Sequence, residues 1–206
     1  AMITRMDSYI GRLFQSLKDN GLDERTVVFF SSDNGPHKEG GIDPDFFHSS
    51  GPLKGIKRAM YEGGIRVPML ARWPGVIKPG TVGNAVWTFW DFLPTAAELA
   101  GVEPPPGLDG ISAVPALLGR PRKAQEFLYW EFHEGGTKQA VRMGNWKAVR
   151  LAPDAPLELY DLSTDVGESR DVAGEHPDIV KKIEAFLEHA RTESEDWPIR
   201  GGGKAS

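Results

Sequence analysis

The sequence predicts an α/β fold in two parts: a piece of an α/β layer, then a small antiparallel four-stranded sheet with a C-terminal helix. Three observations carry this reading. Apolar residues recur at helical spacing at the start and near the end of the chain. Continuous β-branched and aromatic runs occupy the first half, and short strand-like segments separated by turn residues fill the second.

Met2, Ile3, Met6, Ile10, Leu13, Phe14 and Leu17 define an amphipathic helix that stops at Asn20-Gly21, where glycine supplies a left-handed cap. No basic stretch followed by an apolar core precedes it, so it does not read as a signal peptide. A chain that opens inside a helix is expected to have lost what preceded it. Thr26-Val-Val-Phe-Phe-Ser31 lacks alternation and suits a strand buried on both faces, as in a parallel sheet. Residues 36–60 form a long loop rich in Gly, Pro, Ser and Lys. Gly64–Trp73 is a second buried strand, closed by Pro74-Gly75. A helix follows over Asp91–Ala100, with Asp91 as N-cap, Pro94 in the first turn and Gly101 past the end.

Val102–Arg122, with Pro104-Pro105-Pro106, reads as a stiff connector holding one short helix at its end. Beyond it, Phe127–Phe132, Gln139–Met143, Trp146–Leu151 and Leu157–Leu162 are strands, with Gly144-Asn145 as a two-residue hairpin turn. Pro177–Ala190 is the last helix. The organisation expected is therefore a first domain over 1–122, a small α+β subdomain over 123–192 and a flexible tail over 193–206.

Composition narrows the function. The 24 Lys and Arg against 29 Asp and Glu leave a net charge of −5, which argues against a general nucleic-acid or anionic-membrane binder. No cysteine is present, so this chain holds no disulfide, thiolate metal site or cysteine nucleophile. The longest apolar runs are too short to cross a bilayer.

The chemistry concentrates between residues 33 and 66. Asp33 and Asn34 stand where the first strand ends, and together offer two hard oxygens to Ca²⁺ or Mg²⁺. Such ions take about six to eight ligands, so others must come from elsewhere. The same residues also fit a tight turn, since Asn-Gly is a strong turn signal, although no alternating strand follows Gly35. Lys54, Lys57, Arg58 and Arg66 suit recognition of sulfate or phosphate, or else form a solvated basic loop. Gly63-Gly64 permits either positive φ or close backbone approach.

In series, Ser32-Asp33-Asn34-Gly35, Gly51-Pro-Leu-Lys-Gly-x-Lys57, Tyr61-Glu-Gly-Gly-x-Arg-x-Pro68 and Trp73-Pro-Gly75 resemble the sulfatase family, the arylsulfatase-like enzymes of the alkaline-phosphatase superfamily. Ile3-Thr-Arg-Met-Asp7, Asp91-Phe-Leu-Pro-Thr95, Leu108-Asp-Gly-Ile111 and Glu158-Leu-Tyr-Asp-Leu162 agree in order, covering most of residues 1–190. The resemblance implies part of an alkaline-phosphatase-like α/β/α sandwich. It implies that Asp33 and Asn34 complete a divalent metal site, commonly calcium, and that Lys57 contacts the sulfate and its bridging oxygen. Lys54 stands where many relatives carry Arg and also fits a purely structural role, and His37 lies close to Asp33 and also fits a surface histidine; both are weaker substrate-binding candidates. Glu62 and Arg66 are read as structural.

The family's nucleophile is a formylglycine made from Cys or Ser in a Cys/Ser-x-Pro-x-Arg motif near the N-terminus, and this chain does not contain it. Ser50-Gly-Pro-Leu-Lys54 imitates the motif but belongs to the later Gly-Pro-Leu-Lys-Gly segment. The expectation is therefore the C-terminal portion of a sulfatase, inactive alone, from a parent that hydrolyses aryl or carbohydrate sulfates. The chain itself leaves localisation unknown; family habit is compatible with a periplasmic or secreted parent. Alternatives are a phosphoesterase or phosphonate hydrolase of the same superfamily, or a non-catalytic carbohydrate-binding module using Trp73, Trp87, Trp90, Trp130 and Trp146. The isolated chain is expected to expose apolar strand edges and to aggregate.

Overall fold

The structure, a computed structural model, describes residues 2–201. In chain order the elements are α1 (Met2–Asp19), β1 (Val28–Ser31), α2 (Glu62–Ile65), β2 (Met69–Arg72), α3 (Phe92–Ala100), α4 (Val114–Leu117), β3 (Leu128–Phe132), β4 (Lys138–Met143), β5 (Trp146–Arg150), β6 (Glu158–Asp161) and α5 (Pro177–Leu187). Contacts divide them into two units. One holds the chain up to Ser31 together with Pro68–Gln125; the other holds Ser32–Val67 together with the chain from Glu126 onward. No helix among the described residues is long and apolar enough to cross a membrane.

In the first unit, α1 ends as its sequence predicts. Gly21 takes φ 66°, Leu22 N–H donates to Leu17 O at 2.9 Å and Gly21 N–H to Lys18 O at 3.0 Å, closing a Schellman motif. No residue of α1 is buried, and its apolar Met2 and Ile3 are 76% and 77% exposed. The two strands depart from expectation. β1 and β2 pair antiparallel, Val28 opposite Arg72 and Ser31 opposite Met69, and both are only partly buried, with Leu70 59% exposed. The 32–67 excursion returns the chain to the end of β1 that it left. Neighbouring strands joined in that way run antiparallel, whereas a parallel pair needs a crossover to the opposite end.

Asp91 is also reassigned. Its side chain does not cap α3; a 3₁₀ turn over Phe89–Asp91 precedes the helix. The fully buried carboxylate reaches back to Thr88 instead, Oδ2 accepting from Thr88 N at 2.8 Å and from Arg122 at 2.8 Å. Oδ1 accepts from Ile111 N at 2.9 Å and Gln125 Nε2 at 3.0 Å. One carboxylate thus ties the proline-rich connector to the start of α3. Gly110 is needed for that approach, since a Cβ there would sit 2.0 Å from Trp90 O.

The second unit is built on the antiparallel sheet β3-β4-β5-β6. Gly144, at φ 60°, and Asn145 make the predicted hairpin turn, with Met143 opposite Trp146. Strand alternation sorts the apolar residues onto two faces. Val141, Ala148 and Leu159 pack with Leu157, Val172 and Ile183 of α5. Ala140, Val149 and Tyr160 pack with Met60, flanked by Tyr61 and Ile65. Residues 32–67 therefore group with the second half of the chain, a difference from the expected boundary near 122. The physical reason is that Ala140, Val149 and Tyr160 on the sheet's second face, around the buried Lys147, are covered by Met60–Ile65.

The segment read as a flexible tail is anchored as far as it is described. Thr137 N–H donates to Arg200 O at 3.0 Å and Arg200 N–H to the Thr137 side-chain Oγ1 at 2.9 Å, just before β4. Arg191 donates to Trp197 O at 2.6 Å. Residues 202–206 lie outside the described residues.

Asp91→Ala would leave the Arg122 guanidinium buried without its counter-charge. It is expected to destabilise the fold by about 3–5 kcal/mol, read as a lowered urea midpoint, with part of the loss recovered by adding Arg122→Met.

Candidate functional site

The site is built on three glycines that let backbones touch. Gly35 N–H donates to Gly64 O at 3.0 Å, and a Cβ on Gly35 would lie 1.9 Å from Gly63 O. A Cβ on Gly63 would meet Gly55 O at 2.2 Å, and one on Gly64 would meet Ala59 O at 2.1 Å. Close approach, rather than positive φ, is what Gly63-Gly64 provides. Lys57 N–H donates to Pro36 O at 2.9 Å, so the Asp33–Pro36 segment and the Lys57 turn are bonded to one another.

Asp33 is exposed, and its carboxylate has no partner among the described residues. Asn34 Nδ2 donates to Gly35 O at 3.0 Å, which leaves Oδ1 free to accept. Two hard oxygens from adjacent residues fit a Ca²⁺ or Mg²⁺ ion. No group of three or more His, Asp or Glu that could hold a metal occurs among the described residues, so the fit is to part of a coordination sphere. Lys57 is half-buried, and its ammonium is likewise unpartnered among the described residues. It sits in a turn closed by Ala59 N–H to Ile56 O at 2.9 Å. Arg58, next in that turn, has φ 74°, a conformation that costs a side-chain-bearing residue about 1–2 kcal/mol.

Lys54 and His37 are occupied differently. Lys54 Nζ points inward, donating to Tyr160 Oη at 3.1 Å and Glu168 O at 3.2 Å, and lies 3.9 Å from the Tyr61 ring centroid. The ammonium pins the loop to β6, in keeping with the structural alternative for this residue. His37 Nδ1 accepts from Glu39 N at 3.0 Å, and Nε2 lies 3.0 Å from Arg58 Nη1 and 3.2 Å from Glu39 Oε1. It is a rim residue held by its neighbours. Ser50 Oγ donates to Gly55 O at 2.8 Å, a turn contact.

Beneath the loop lies a buried ionic layer. Glu62 Oε1 accepts from Lys147 Nζ at 2.8 Å, and Lys147 is fully buried on β5 with its ammonium 5.2 Å from the Trp130 ring. Burial alone would raise the Glu62 carboxyl, but the charge and hydrogen bond of Lys147, then Arg142 and Arg66, hold it below the usual range. Glu168 is fully buried, with φ 51°. Its Oε2 accepts from Glu62 N at 2.7 Å, while Oε1 has no partner among the described residues. Burial pushes its carboxyl up to about 7, against the opposing pull of the Glu62 N–H and Lys147. Tyr61 and Tyr160 both donate to Glu158 Oε2, at 2.7 and 2.6 Å.

This is the arrangement against which known proteins can be set. A family model described as N-sulphoglucosamine sulphohydrolase, C-terminal, matches residues 56–193, and the sulfatase model matches residues 1–102. The chain belongs to the sulfatase family. Human arylsulfatase A is 34% identical over 88% of the chain and 41% of its own length. Mouse steryl-sulfatase is 33% identical over 89% of the chain and 35% of its own length. The chain thus spans well under half the length of these relatives. A solved structure of Ps i-CgsB in complex with k-i-k-neocarrahexaose superposes with TM-score 0.82, covering 97% of the chain and 44% of that protein, at 28% identity. Phosphonate monoester hydrolase from Silicibacter pomeroyi superposes with TM-score 0.67 at 26% identity, over 90% of the chain and 38% of that protein.

Within this sulfatase chain, sequence reading missed Lys147 and Glu168. A lysine in an otherwise apolar strand interior, Trp146-Lys-Ala-Val149, was a signal for the first. Nothing local marked the second. Glu168 keeps its proton more tightly folded than unfolded, where its carboxyl returns to about 4.5. Its contribution to stability is therefore complete below about pH 4.5 and is lost as pH rises through about 7. Glu168→Gln is expected to flatten the fall in melting temperature between pH 5 and 8. An unchanged pH profile would show that Glu168 titrates normally.

Proposed function

We propose that this chain supplies half of the active site of a sulfuric ester hydrolase and is inactive on its own. The observation that carries the reading is the pairing, on one glycine-packed scaffold, of an unpartnered Lys57 ammonium with the free oxygens of Asp33 and Asn34. Asp33 and Asn34 would hold one side of a Ca²⁺ or Mg²⁺ ion, which when bound supplies positive charge to a sulfate oxygen. A formylglycine from the remaining length of the enzyme would supply the nucleophile.

Lys57 binds the anionic ester and offers its ammonium to the bridging oxygen, where negative charge grows as the S–O bond breaks. The rigid glycine contacts hold it there without reorganisation. Lys54 takes no part, since its ammonium donates to Tyr160 Oη and Glu168 O. The substrate we favour is a sulfated carbohydrate, supported by the sugar in the Ps i-CgsB complex. An aryl sulfate is the other member of the class, in line with the arylsulfatase A likeness.

A second reading, phosphonate or phosphate ester hydrolysis, is favoured by the likeness to the Silicibacter enzyme. The carbohydrate-module reading has less support. Trp73 Nε1 bonds to Glu24 O, Trp87 meets the Phe29 ring, and Trp146 packs on His176, so these side chains are engaged in their own units.

Sulfate release from 4-nitrophenyl sulfate and sulfated glycans decides between them. In the complete enzyme, Lys57→Ala is expected to lower kcat/KM about 10²–10³-fold, the range for losing one preorganised charge donor. Asp33→Ala is expected to abolish metal-dependent turnover, and the 206-residue chain to show none. Turnover by the chain alone, or faster cleavage of a phosphonate ester than of any sulfate ester, would overturn the reading.

A further inference from the structure

We infer that Arg58 is a positioning residue for Lys57: its side chain clamps a turn whose backbone a residue of its type does not favour. The inference rests on the proposed role of Lys57 and deepens it. Lys57 and Arg58 are the two central residues of the turn closed by Ala59 N–H to Ile56 O. Arg58 alone of the pair has positive φ, 74°, which corresponds to the third position of a type II turn, where glycine ordinarily stands. A bulky side chain there persists only when its surroundings hold it.

The surroundings are visible. Arg58 Nε donates to Glu134 Oε2 at 2.7 Å, in the connection between β3 and β4. Arg58 Nη1 lies 3.0 Å from His37 Nε2 and donates to Glu39 Oε1 at 3.4 Å. One guanidinium therefore ties the turn to the segment following Asp33-Asn34 and to the small sheet. The Lys57 N–H to Pro36 O bond, 2.9 Å long, joins the turn to the same segment. Arg58 is also unavailable as an anion receptor, because two carboxylates already occupy it. Its side chain is 41% exposed and those of Glu39 and Glu134 are more so. Such pairs add little to global stability, so the clamp acts on local geometry.

Glycine and alanine at this position separate the two components. Both remove the clamp, but glycine tolerates φ 74° and alanine does not. In the complete enzyme, Arg58→Ala is expected to lower kcat for sulfate release tenfold or more with KM within about twofold, because small misplacements of a reacting group carry penalties of that order. Arg58→Gly is expected to recover most of the loss, and melting temperature to stay nearly constant in both. Amide hydrogen exchange at Lys57 supplies a readout independent of activity: faster in Arg58→Ala, near the parent rate in Arg58→Gly. Unchanged exchange in Arg58→Ala, equal exchange in the two variants, or an unchanged kcat in an active Arg58→Ala enzyme would overturn the positioning role. The expected exchange pattern in a protein that releases no sulfate would support the clamp and count against the hydrolase reading.

Discussion

The buried Glu62–Lys147 ion pair is the constraint on which the second unit depends. Lys147 reaches out of the middle of β5 with no exposure, and Glu62 begins α2 directly above it. A lone charge there would be costly, so the two residues are compatible with burial only together. Their pairing fixes where the Tyr61–Gly64 segment lies on the sheet. The candidate residues of the loop are referred to that position, because Gly63 and Gly64 receive the backbone of Gly35, and Pro36 receives that of Lys57.

The polar layer around the pair is graded. Glu62 is held ionised by Lys147 and Arg142, whereas Glu168, facing the Glu62 backbone, is held neutral by burial across the acidic range. Two carboxyls side by side with opposite protonation preferences avoid like-charge repulsion within the core. Lys54 completes the layer between Tyr61 and Tyr160, adding a cation that lies over aromatic faces rather than free in solvent. The cations thus divide by surroundings: Lys54 and Lys147 are committed inward, and Lys57 has no partner among the described residues.

The first unit presents a different balance. Its buried polar anchor, Asp91 with Arg122, is complete, yet α1 is buried nowhere and Leu70 of β2 lies largely open. The chain corresponds to 35% and 41% of the length of mouse steryl-sulfatase and human arylsulfatase A. An amphipathic helix and a two-stranded sheet obtain most of their stability from an apolar face packed against something else.

Most of the helices and all four strands of the small sheet were legible in the sequence, because their determinants are local. Gly21, Gly101 and the Gly144-Asn145 turn act on their immediate neighbours, and strand alternation survives without knowledge of partners. Asp33, Asn34 and Lys57 were legible as candidate residues by type and order. The bonding of their backbone segments was not, since it rests on the Gly35 N–H to Gly64 O and Lys57 N–H to Pro36 O bonds, which join stretches far apart in the chain. The direction of β2 against β1, the inward turn of Lys54, the carboxylate contacts of Arg58 and the raised Glu168 carboxyl were decided by tertiary structure alone. Each depends on which distant backbone or charge arrives beside it, and no periodicity or spacing in a single chain encodes that arrival.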